Sequence, residues 1–351
     1  MQPGSLGGAA RRLVGGSTTP PSWENTMRIV RHYEHGAPSV LRVEEAEKPQ
    51  PGPGEVLIRS EAIGVTFAEV QRRQGIPIGG HATLPGAPGG DVAGVVEALG
   101  DGVTNVRVGD RVVVDVDHSA YADHVTADAA WAITIPDTMD AAEATLLPSP
   151  AQTAYHAIKE SGQLKPGESI LIDAASGGVG HLAVQIAKAM GAGKVIATAS
   201  TQAKLDFVRD LGADVTVNYT DDDWDEQVRE ATEGRGVDVV LETVGGDILT
   251  KSVALTAQFG RLVFYGSASG DIQPVHPLML SRMKTVAGFA LYAMLYNKPE
   301  AIAAGQRDLL DMIATGKLRP IVHERLGLDE AVKAHELMEA RAQLGKIVLV
   351  P

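Results

Sequence analysis

The chain has 351 residues, 44% of them hydrophobic and 21% charged, which is typical of a globular protein with about two domains. Its formal net charge of −13 would repel a phosphate backbone, which argues against broad binding to nucleic acid or to an anionic membrane. Cysteine is absent, which excludes disulfides, thiolate nucleophiles and Cys-ligated metal centres, and we expect a cytoplasmic protein.

The first 26 residues differ in composition from the rest of the chain. Residues 1–26 are rich in Gly, Ser, Thr and Pro and lack the apolar core of about 7–15 residues that a secretory signal requires. The pair Arg11 and Arg12 is a weak sign of a transit peptide, but the composition favours a disordered leader. We expect the folded part to begin at Met27. The longest apolar stretch, residues 285–296, is shorter than the roughly 20 residues that cross a bilayer.

Residues 27–150 are typical of a mostly β domain. Short apolar runs at 55–59, 94–98 and 111–114 are separated by turn signals such as Gly-Pro-Gly at 52–54. Such runs predict twisted, irregular strands.

The pattern changes at about residue 150, where strand-like and helix-like segments begin to alternate. The predicted strands are 169–173, 194–198, 215–217, 237–241 and 261–265, and the first three intervening helices are 178–190, 202–211 and 223–232. This alternation predicts a doubly wound parallel sheet with helices on both faces. The last sixty residues predict two amphipathic helices, 299–316 and 328–340, and a terminal strand, 346–350.

A glycine turn follows the first of these strands. It consists of Ala174, Ala175, Ser176, Gly177, Gly178, Val179 and Gly180. Glycines let the backbone approach a pyrophosphate, and the N-terminus of the next helix offers unpaired N–H groups to its charge. The strand before and the helix after the turn support dinucleotide binding. The alternative is a tight strand-to-helix turn without a ligand.

The end of the second strand indicates which dinucleotide binds. NAD sites usually place an Asp or Glu there to hold the ribose 2′-hydroxyl. This chain has Ser200, Thr201 and Lys204 instead, and its first acid is Asp206. Hydroxyls and an ammonium suit a 2′-phosphate, which favours NADPH. The alternative is that Ser200 caps the next helix and Lys204 is a solvated surface charge.

Several further motifs, taken together, resemble one family. They are Gly64-Val65-Thr66-Phe67-Ala68-Glu69, Pro88-Gly89-Gly90-Asp91-Val92-Ala93-Gly94-Val95-Val96, Val108-Gly109-Asp110-Arg111-Val112, Val217-Asn218-Tyr219 and Leu344-Gly345-Lys346-Ile347-Val348-Leu349. With the glycine turn, they make the chain from Met27 onward similar to medium-chain dehydrogenases/reductases of the quinone oxidoreductase (zeta-crystallin) group.

The resemblance implies an α/β fold in which a GroES-like catalytic domain, formed by residues 27–150 and 291–351, flanks a Rossmann cofactor domain, residues 151–290. It also implies that NADPH binds in the cleft between the domains and that the protein forms a homodimer. The cofactor-binding residues that it implies are Thr153, Ala174, Ser176, Gly177, Gly178, Val179, Gly180, Ser200, Lys204, Tyr219, Gly266 and Ser267.

The chain departs from the zinc-dependent members of this superfamily. Those members carry Cys at the position of Thr66 and His at the position of Gly90, so we expect no metal site. Without a metal, alcohol oxidation loses its usual Lewis acid, and hydride transfer to an electron-poor acceptor becomes the easier reaction. Thr66 is the candidate donor to the developing oxyanion, and no residue pattern indicates a general acid or base.

Three functions are compatible with these residues. The first is a zinc-independent, NADPH-dependent reductase of a small electrophile, either a quinone or an α,β-unsaturated carbonyl compound. The second is an enoyl-thioester (CoA or ACP) reductase of the same superfamily. The third is a non-enzymatic NADPH-binding protein. A nucleic-acid or membrane partner is not expected.

Overall fold

The computed structural model of the protein describes residues 25–77, 82–271 and 273–351. The predicted leader, residues 1–26, lies outside these ranges except for its last two residues. The first strand begins at Thr26, one residue before the predicted start of the folded part. Within the described ranges, no helix combines the length and the apolar character that crossing a bilayer requires.

The strands form three sheets. In chain order they are β1 (Thr26–Arg31), β2 (Arg42–Glu47), β3 (Glu55–Gly64), β4 (Gly90–Leu99), β5 (Arg111–Val116), β6 (His124–Asp128), β7 (Ile133–Thr134), β8 (Ser169–Ile172), β9 (Lys194–Ala199), β10 (Val215–Asn218), β11 (Val237–Glu242), β12 (Thr256–Phe264), β13 (Thr285–Gly288), β14 (Val322–Gly327) and β15 (Lys346–Val350). A mostly antiparallel sheet has the order β14-β15-β3-β4-β5-β7, with β6 paired to β3, and β1 pairs with β2.

The third sheet is parallel and doubly wound. Its order, β10-β9-β8-β11-β12-β13, places β8 beside β11, so the chain runs outward in both directions from this pair. The carboxyl ends of strands at such a reversal form a crevice in which ligands bind. The predicted combination of a mostly β, GroES-like domain with a Rossmann-type domain is confirmed.

The helices cover the parallel sheet and link the two domains. They are α1 (Phe67–Arg73), α2 (Ala141–Ala144), α3 (Gln152–His156), α4 (Gly180–Ala189), α5 (Gln202–Asp210), α6 (Trp224–Ala231), α7 (Gly246–Leu255), α8 (Leu291–Asn297), α9 (Pro299–Ala314) and α10 (Ala331–Glu339). Two π-helical turns, Leu147–Ala151 and Ala157–Ser161, extend α3 on either side. After the parallel sheet, α9 packs on α3 before the chain returns to the antiparallel sheet at β14. The domain limits at residues 150 and 290 stay predictions.

The apolar runs of the sequence become the buried strands of the parallel sheet. All four residues of β8 are buried, as expected for a strand with a covered face on each side. Strand β12 starts at Thr256, five residues before its predicted start at residue 261. The difference arises because Thr256 pairs with Val237, whereas the exposed Gln258 and Phe259 interrupt the apolar pattern.

A buried ion pair joins the start of the last strand to the antiparallel sheet. Lys346 Nζ lies 2.8 Å from Asp91 Oδ2, and the two side chains are 4% and 0% exposed. The other carboxylate oxygen, Asp91 Oδ1, accepts a hydrogen bond of 3.1 Å from the backbone N–H of Ser149. Gly64 leaves room for the lysine, because a Cβ atom at that position would lie 2.5 Å from Lys346 Cε.

We predict that Lys346→Met lowers the free energy of unfolding by about 3–5 kcal/mol at pH 8, because it leaves a buried carboxylate without its cation. The double variant Asp91→Leu/Lys346→Met removes both charges and should recover much of that loss. Urea unfolding monitored by tryptophan fluorescence measures both effects. A single variant as stable as the wild type would contradict the prediction.

Candidate cofactor and acceptor site

The glycine turn lies at the carboxyl edge of β8, where α4 begins. Ala174 opens it with a φ of 50°, in the left-handed region. A Cβ atom at Gly180 would lie 2.6 Å from the carbonyl oxygen of Ala174, so α4 packs directly on the turn and needs glycine there. A Cβ atom at Gly177 would lie 3.4 Å from the same oxygen, which is an ordinary contact. Gly177 therefore leaves open space over the turn, which is what the close approach of a pyrophosphate requires.

His181, which the sequence analysis did not single out, fixes the turn from behind. Its Nδ1–H donates to the carbonyl oxygen of Gly177 at 2.8 Å, and its Nε2 accepts from the backbone N–H of Ile321 at 3.2 Å. Burial lowers the pKa of His181 to about 4, so the ring is neutral and serves as a donor on one side and an acceptor on the other. The backbone N–H of Gly345 also donates to the carbonyl oxygen of Ser176, at 2.8 Å.

Polar groups gather at the end of β9, where the sequence predicts the 2′-phosphate. Lys204 Nζ lies 3.5 Å from Ser200 Oγ and donates to the backbone carbonyl of Arg341. The backbone N–H of Tyr219 donates to Ala199 at 3.1 Å, which places this tyrosine beside the end of β9. The helix cap is Thr201, whose hydroxyl accepts from the backbone N–H of Lys204 at 3.4 Å, so Ser200 is not needed as a cap.

Arg341 is a second cation at the end of β9, and no sequence motif indicated it. Its backbone carbonyl accepts from Lys204 Nζ, and burial and then the charge of Arg341 lower the pKa of Lys204. Arg341 has a φ of 51°, and its guanidinium donates to the carbonyl oxygen of Ala268 at 3.2 Å. It is 137 positions from Lys204 in the chain, so only its place just before the Gly345-Lys346 ending could have suggested a role.

Gly266 and Ser267 follow β12 at the same edge of the parallel sheet. A Cβ atom at Gly266 would lie 2.5 Å from Thr243 Oγ1, so the backbone runs close to the neighbouring strand end. Gln71 Nε2, on α1 of the other domain, donates to the carbonyl oxygen of Ser267 at 3.2 Å. Thr66 is the N-cap residue of α1, and Thr153 lies on α3; both are partly buried. Their roles in binding and catalysis stay predictions.

The residues at the position of a family zinc site do not fit a metal. Both oxygens of Asp91 are engaged, by Lys346 and by the backbone of Ser149. A side chain at Gly90 would begin 2.7 Å from the carbonyl oxygen of Gly64, so a ligand there would require the backbone to move. Within residues 25–77, 82–271 and 273–351, His, Asp and Glu side chains form no group of three that could hold a metal ion.

A cavity of about 260 Å³ opens between α1 and the segments at 82–88 and 117–119. Glu69, Arg72 and Asp117 contribute to its charged lining. The guanidinium of Arg72 lies 2.6 Å from Glu69 Oε1 and 3.0 Å from Asp117 Oδ1. Glu69 also accepts from the backbone N–H of Gly89 at 2.8 Å. Two carboxylates therefore neutralise the charge of Arg72, and Arg73, which also lines the cavity, is paired with Glu339.

Asp115 and Tyr292 connect β5 of the antiparallel sheet with α8, the helix that follows the parallel sheet. Tyr292 Oη donates to Asp115 Oδ2 at 2.7 Å, although the residues are 177 positions apart. Asp115 lies opposite Asp91 in the pairing of β4 with β5. Burial, followed by the charge of Asp91, raises the pKa of Asp115 to about 7. The sequence feature that could have indicated Asp115 is its position, a carboxylate within the apolar run of β5.

We predict that Gly177→Val weakens the binding of NADPH at least about tenfold, because a branched side chain would fill the open space over the turn. Fluorescence titration of the purified variant measures the affinity, and its melting temperature should stay close to that of the wild type.

Gly180→Val is the matched comparison at the other end of the turn. It should lower the melting temperature, because overpacking against Ala174 costs about 1–3 kcal/mol. The prediction for Gly177 is wrong if a folded Gly177→Val protein binds NADPH as tightly as the wild type.

Comparison with known proteins supports both halves of the fold. The family model "Alcohol dehydrogenase GroES-like domain" matches residues 52–137, and "Zinc-binding dehydrogenase" matches residues 178–306. A 2-haloacrylate reductase of Burkholderia is 37% identical over 91% of this chain and 97% of its own. A quinone oxidoreductase of Pseudomonas aeruginosa is 35% identical over 92% and 99%, respectively.

A solved structure shares the whole fold. The crystal structure of Escherichia coli quinone oxidoreductase complexed with NADPH is 31% identical to this chain and superimposes with a TM-score of 0.87. The match covers 92% of this chain and 100% of that one. With these relatives and with both domains in place, the chain belongs to the medium-chain dehydrogenase/reductase superfamily of oxidoreductases and has quinone oxidoreductases among its relatives.

Proposed function

We propose that the protein is a zinc-independent, NADPH-dependent reductase that transfers hydride to a quinone or to an α,β-unsaturated carbonyl compound. The observation that carries this proposal is the pair of cations, Lys204 and Arg341, at a strand end that has hydroxyls in place of the acid of NAD sites. A doubly charged 2′-phosphate is the group that such a place suits.

The described residues fit a dinucleotide along the whole carboxyl edge of the parallel sheet. The proposed contacts are the 2′-phosphate with Ser200, Lys204, Tyr219 and Arg341, the pyrophosphate with the turn 174–180, and the nicotinamide half with Thr153, Gly266 and Ser267. Bound NADPH supplies the hydride. The protein positions the acceptor and balances the charge that develops on its oxygen, for which Thr66 is the candidate donor.

The charges of the cavity favour a neutral acceptor. In its lining, the guanidinium of Arg72 is already paired with Glu69 and Asp117, and that of Arg73 is paired with Glu339. A carboxylated or sulfonated acceptor would have to displace these carboxylates from the guanidinium groups, whereas a neutral quinone or enone would not. The sequence relative named for haloacrylate acts on an anion, so the acceptor classes of the two proteins are proposed to differ.

We also propose that the protein is a cytoplasmic homodimer. Strand β13 is the outer strand of the parallel sheet, and α8, which follows it, has no buried residue. Leu278, Met283 and Phe259 near this edge are 74%, 68% and 64% exposed. An open strand edge with apolar neighbours suits a self-complementary interface. Analytical ultracentrifugation would show a dimer.

A matched pair of quinones tests the acceptor class. 1,4-Naphthoquinone-2-sulfonate is the more electron-poor of the pair, so its intrinsic reactivity exceeds that of neutral 1,4-naphthoquinone. We predict that the enzyme nevertheless shows a kcat/KM at least about tenfold higher for the neutral quinone, because the carboxylates that already engage the arginines of the cavity repel the sulfonate. The advantage should shrink at high salt.

Other acceptors in the same assay distinguish the alternatives. Turnover of a crotonyl thioester that exceeds that of all quinones and simple enones would favour the enoyl-thioester reductase. NADPH binding with no acceptor turnover would favour the non-enzymatic protein, and either result would contradict the proposal.

We predict that Lys204→Ala weakens the binding of NADPH about 10- to 150-fold and barely changes that of NADH. The lysine would give the 2′-phosphate a charge-assisted hydrogen bond worth about 1.5–3 kcal/mol, and NADH has only a hydroxyl there. Calorimetric titration measures both affinities. Lys194→Ala, at the opposite end of β9, is the control and should change neither. Equal weakening of both cofactors by Lys204→Ala would remove the support for NADPH.

A further inference from the structure

We propose that Asp115 and Tyr292 form the proton-donating pair of the cleft, with the Tyr292 hydroxyl contacting the acceptor oxygen and Asp115 supplying the proton through it. This inference rests on the proposed function and adds to it the acid that the sequence did not indicate.

The pair joins an element of the antiparallel sheet to the helix that follows the parallel sheet. Tyr292 is in the first turn of α8, three residues after the backbone N–H of Phe289 donates to Phe264 at the carboxyl end of β12. It therefore lies at the edge of the parallel sheet that carries the glycine turn. Asp115 is near the end of β5, beside the start of β4 at Gly90 and Asp91. The 2.7 Å hydrogen bond therefore links β5 to the carboxyl edge of the parallel sheet.

The two members of the pair differ in exposure, and this assigns their roles. The Tyr292 residue is 40% exposed, whereas Asp115 is only partly exposed and is shielded by its neighbours. Tyr292 is the more accessible member of the pair, and we therefore assign to it the contact with the acceptor. The charged neighbours of Tyr292 are Asp117 and Arg72, which line the adjacent cavity.

Asp115 differs from the other acids of the cleft in its partner. Asp91 is paired with Lys346, and Glu69 and Asp117 are paired with Arg72. Asp115 has a phenol as its hydrogen-bond partner, and the charges that act on it are those of Asp91, Glu69 and Lys346. Burial and the two acids raise its pKa to about 7, so the carboxyl holds a proton in part of the molecules at neutral pH.

The proposed step accounts for each proton and electron pair. Hydride adds to the acceptor with its two electrons, at the β-carbon of an enone or at a quinone, and charge develops on the carbonyl oxygen. When Asp115 holds its proton, the hydrogen bond of the pair reverses, so that the carboxyl O–H donates to Tyr292 Oη and the Tyr292 O–H is free to donate to the acceptor. The Tyr292 O–H bond then breaks as its proton passes to that oxygen, and the carboxyl proton of Asp115 passes to Tyr292 Oη. The products are an enol or a hydroquinone and the Asp115 carboxylate, which water protonates again. An enol then becomes the ketone in solution.

The first test needs neither cofactor nor turnover. NMR of the free protein with ¹³C-labelled aspartate carboxyls should show a carboxyl that titrates near pH 7 and is missing in Asp115→Asn. Its loss in that variant distinguishes it from Asp173, whose pKa burial raises to about 6. The pKa of the Asp115 carboxyl should move in Tyr292→Phe, because the phenol is its hydrogen-bond partner, and should stay in Tyr296→Phe. Tyr296 is the matched control, since it lies on the same helix, is 72% exposed and contacts Trp131 instead.

The second test follows turnover of 2-cyclohexenone against pH. Since Asp115 must hold its proton, wild-type kcat should be constant below the pKa and fall as the pH rises through about 7. Asp115→Asn should lower kcat by about 10²–10⁴-fold and abolish this fall, and Tyr292→Phe should also lower kcat. Tyr296→Phe should keep the wild-type value. NADPH affinity and melting temperature should change little in all three variants.

Each outcome decides one of the two claims. If the wild type reduces the enone and Asp115→Asn keeps both its kcat and its pH profile, the proton-donating pair is wrong and the proposed function stands. If the labelled carboxyl of Asp115 titrates near pH 4, the pair is likewise wrong. If the wild type reduces no acceptor at any pH, the proposed function fails and the inference fails with it.

Discussion

The ion pair between Lys346 and Asp91 is the interaction on which the rest of the cleft depends. Asp91 belongs to the antiparallel sheet, and Lys346 begins the strand that closes it. The residue before the lysine, Gly345, donates its N–H to Ser176 in the glycine turn of the other domain. One short segment therefore holds the cofactor turn against the antiparallel sheet. Because both side chains are buried, removal of either one leaves the other charge without a partner and out of reach of water. Removal of one member therefore costs more stability than removal of both.

The charges of the cleft are divided along its length. Lys204 and Arg341 form a positive end, while the acids around Arg72 form a negative end beside the cavity. A protein with a net charge of −13 can thus hold a polyanionic cofactor at one place and still favour a neutral acceptor at the other. At the position of the superfamily's zinc site, Asp91 of this chain pairs with a lysine and Gly90 contributes only backbone. The chemistry that we propose at the negative end of the cleft relies on hydroxyl and carboxyl groups.

Local patterns of the sequence predicted the fold and the glycine turn and strand ends at which we propose that the cofactor binds. The strands of the parallel sheet are continuous apolar runs, and the glycine turn follows one of them, so both were readable in a short window. Arg341, His181 and Tyr292 were not, because each acts through a partner more than 100 positions away. In the sequence, Asp115 only interrupts an apolar strand. The packed structure is needed to show that Asp91 and Tyr292 lie beside it. Long-range contacts of this kind leave no periodic signal.

The most direct test of the account is to follow the hydride itself. We would incubate the enzyme with NADPH deuterated at C4, in its two stereochemical forms separately, and 2-cyclohexenone, and analyse the ketone by mass spectrometry and NMR. The account predicts that one of the two forms gives cyclohexanone with deuterium at the β-carbon, whereas the α-carbon gains its hydrogen from solvent. Cyclohexanone without deuterium from either form would contradict direct hydride transfer in this cleft.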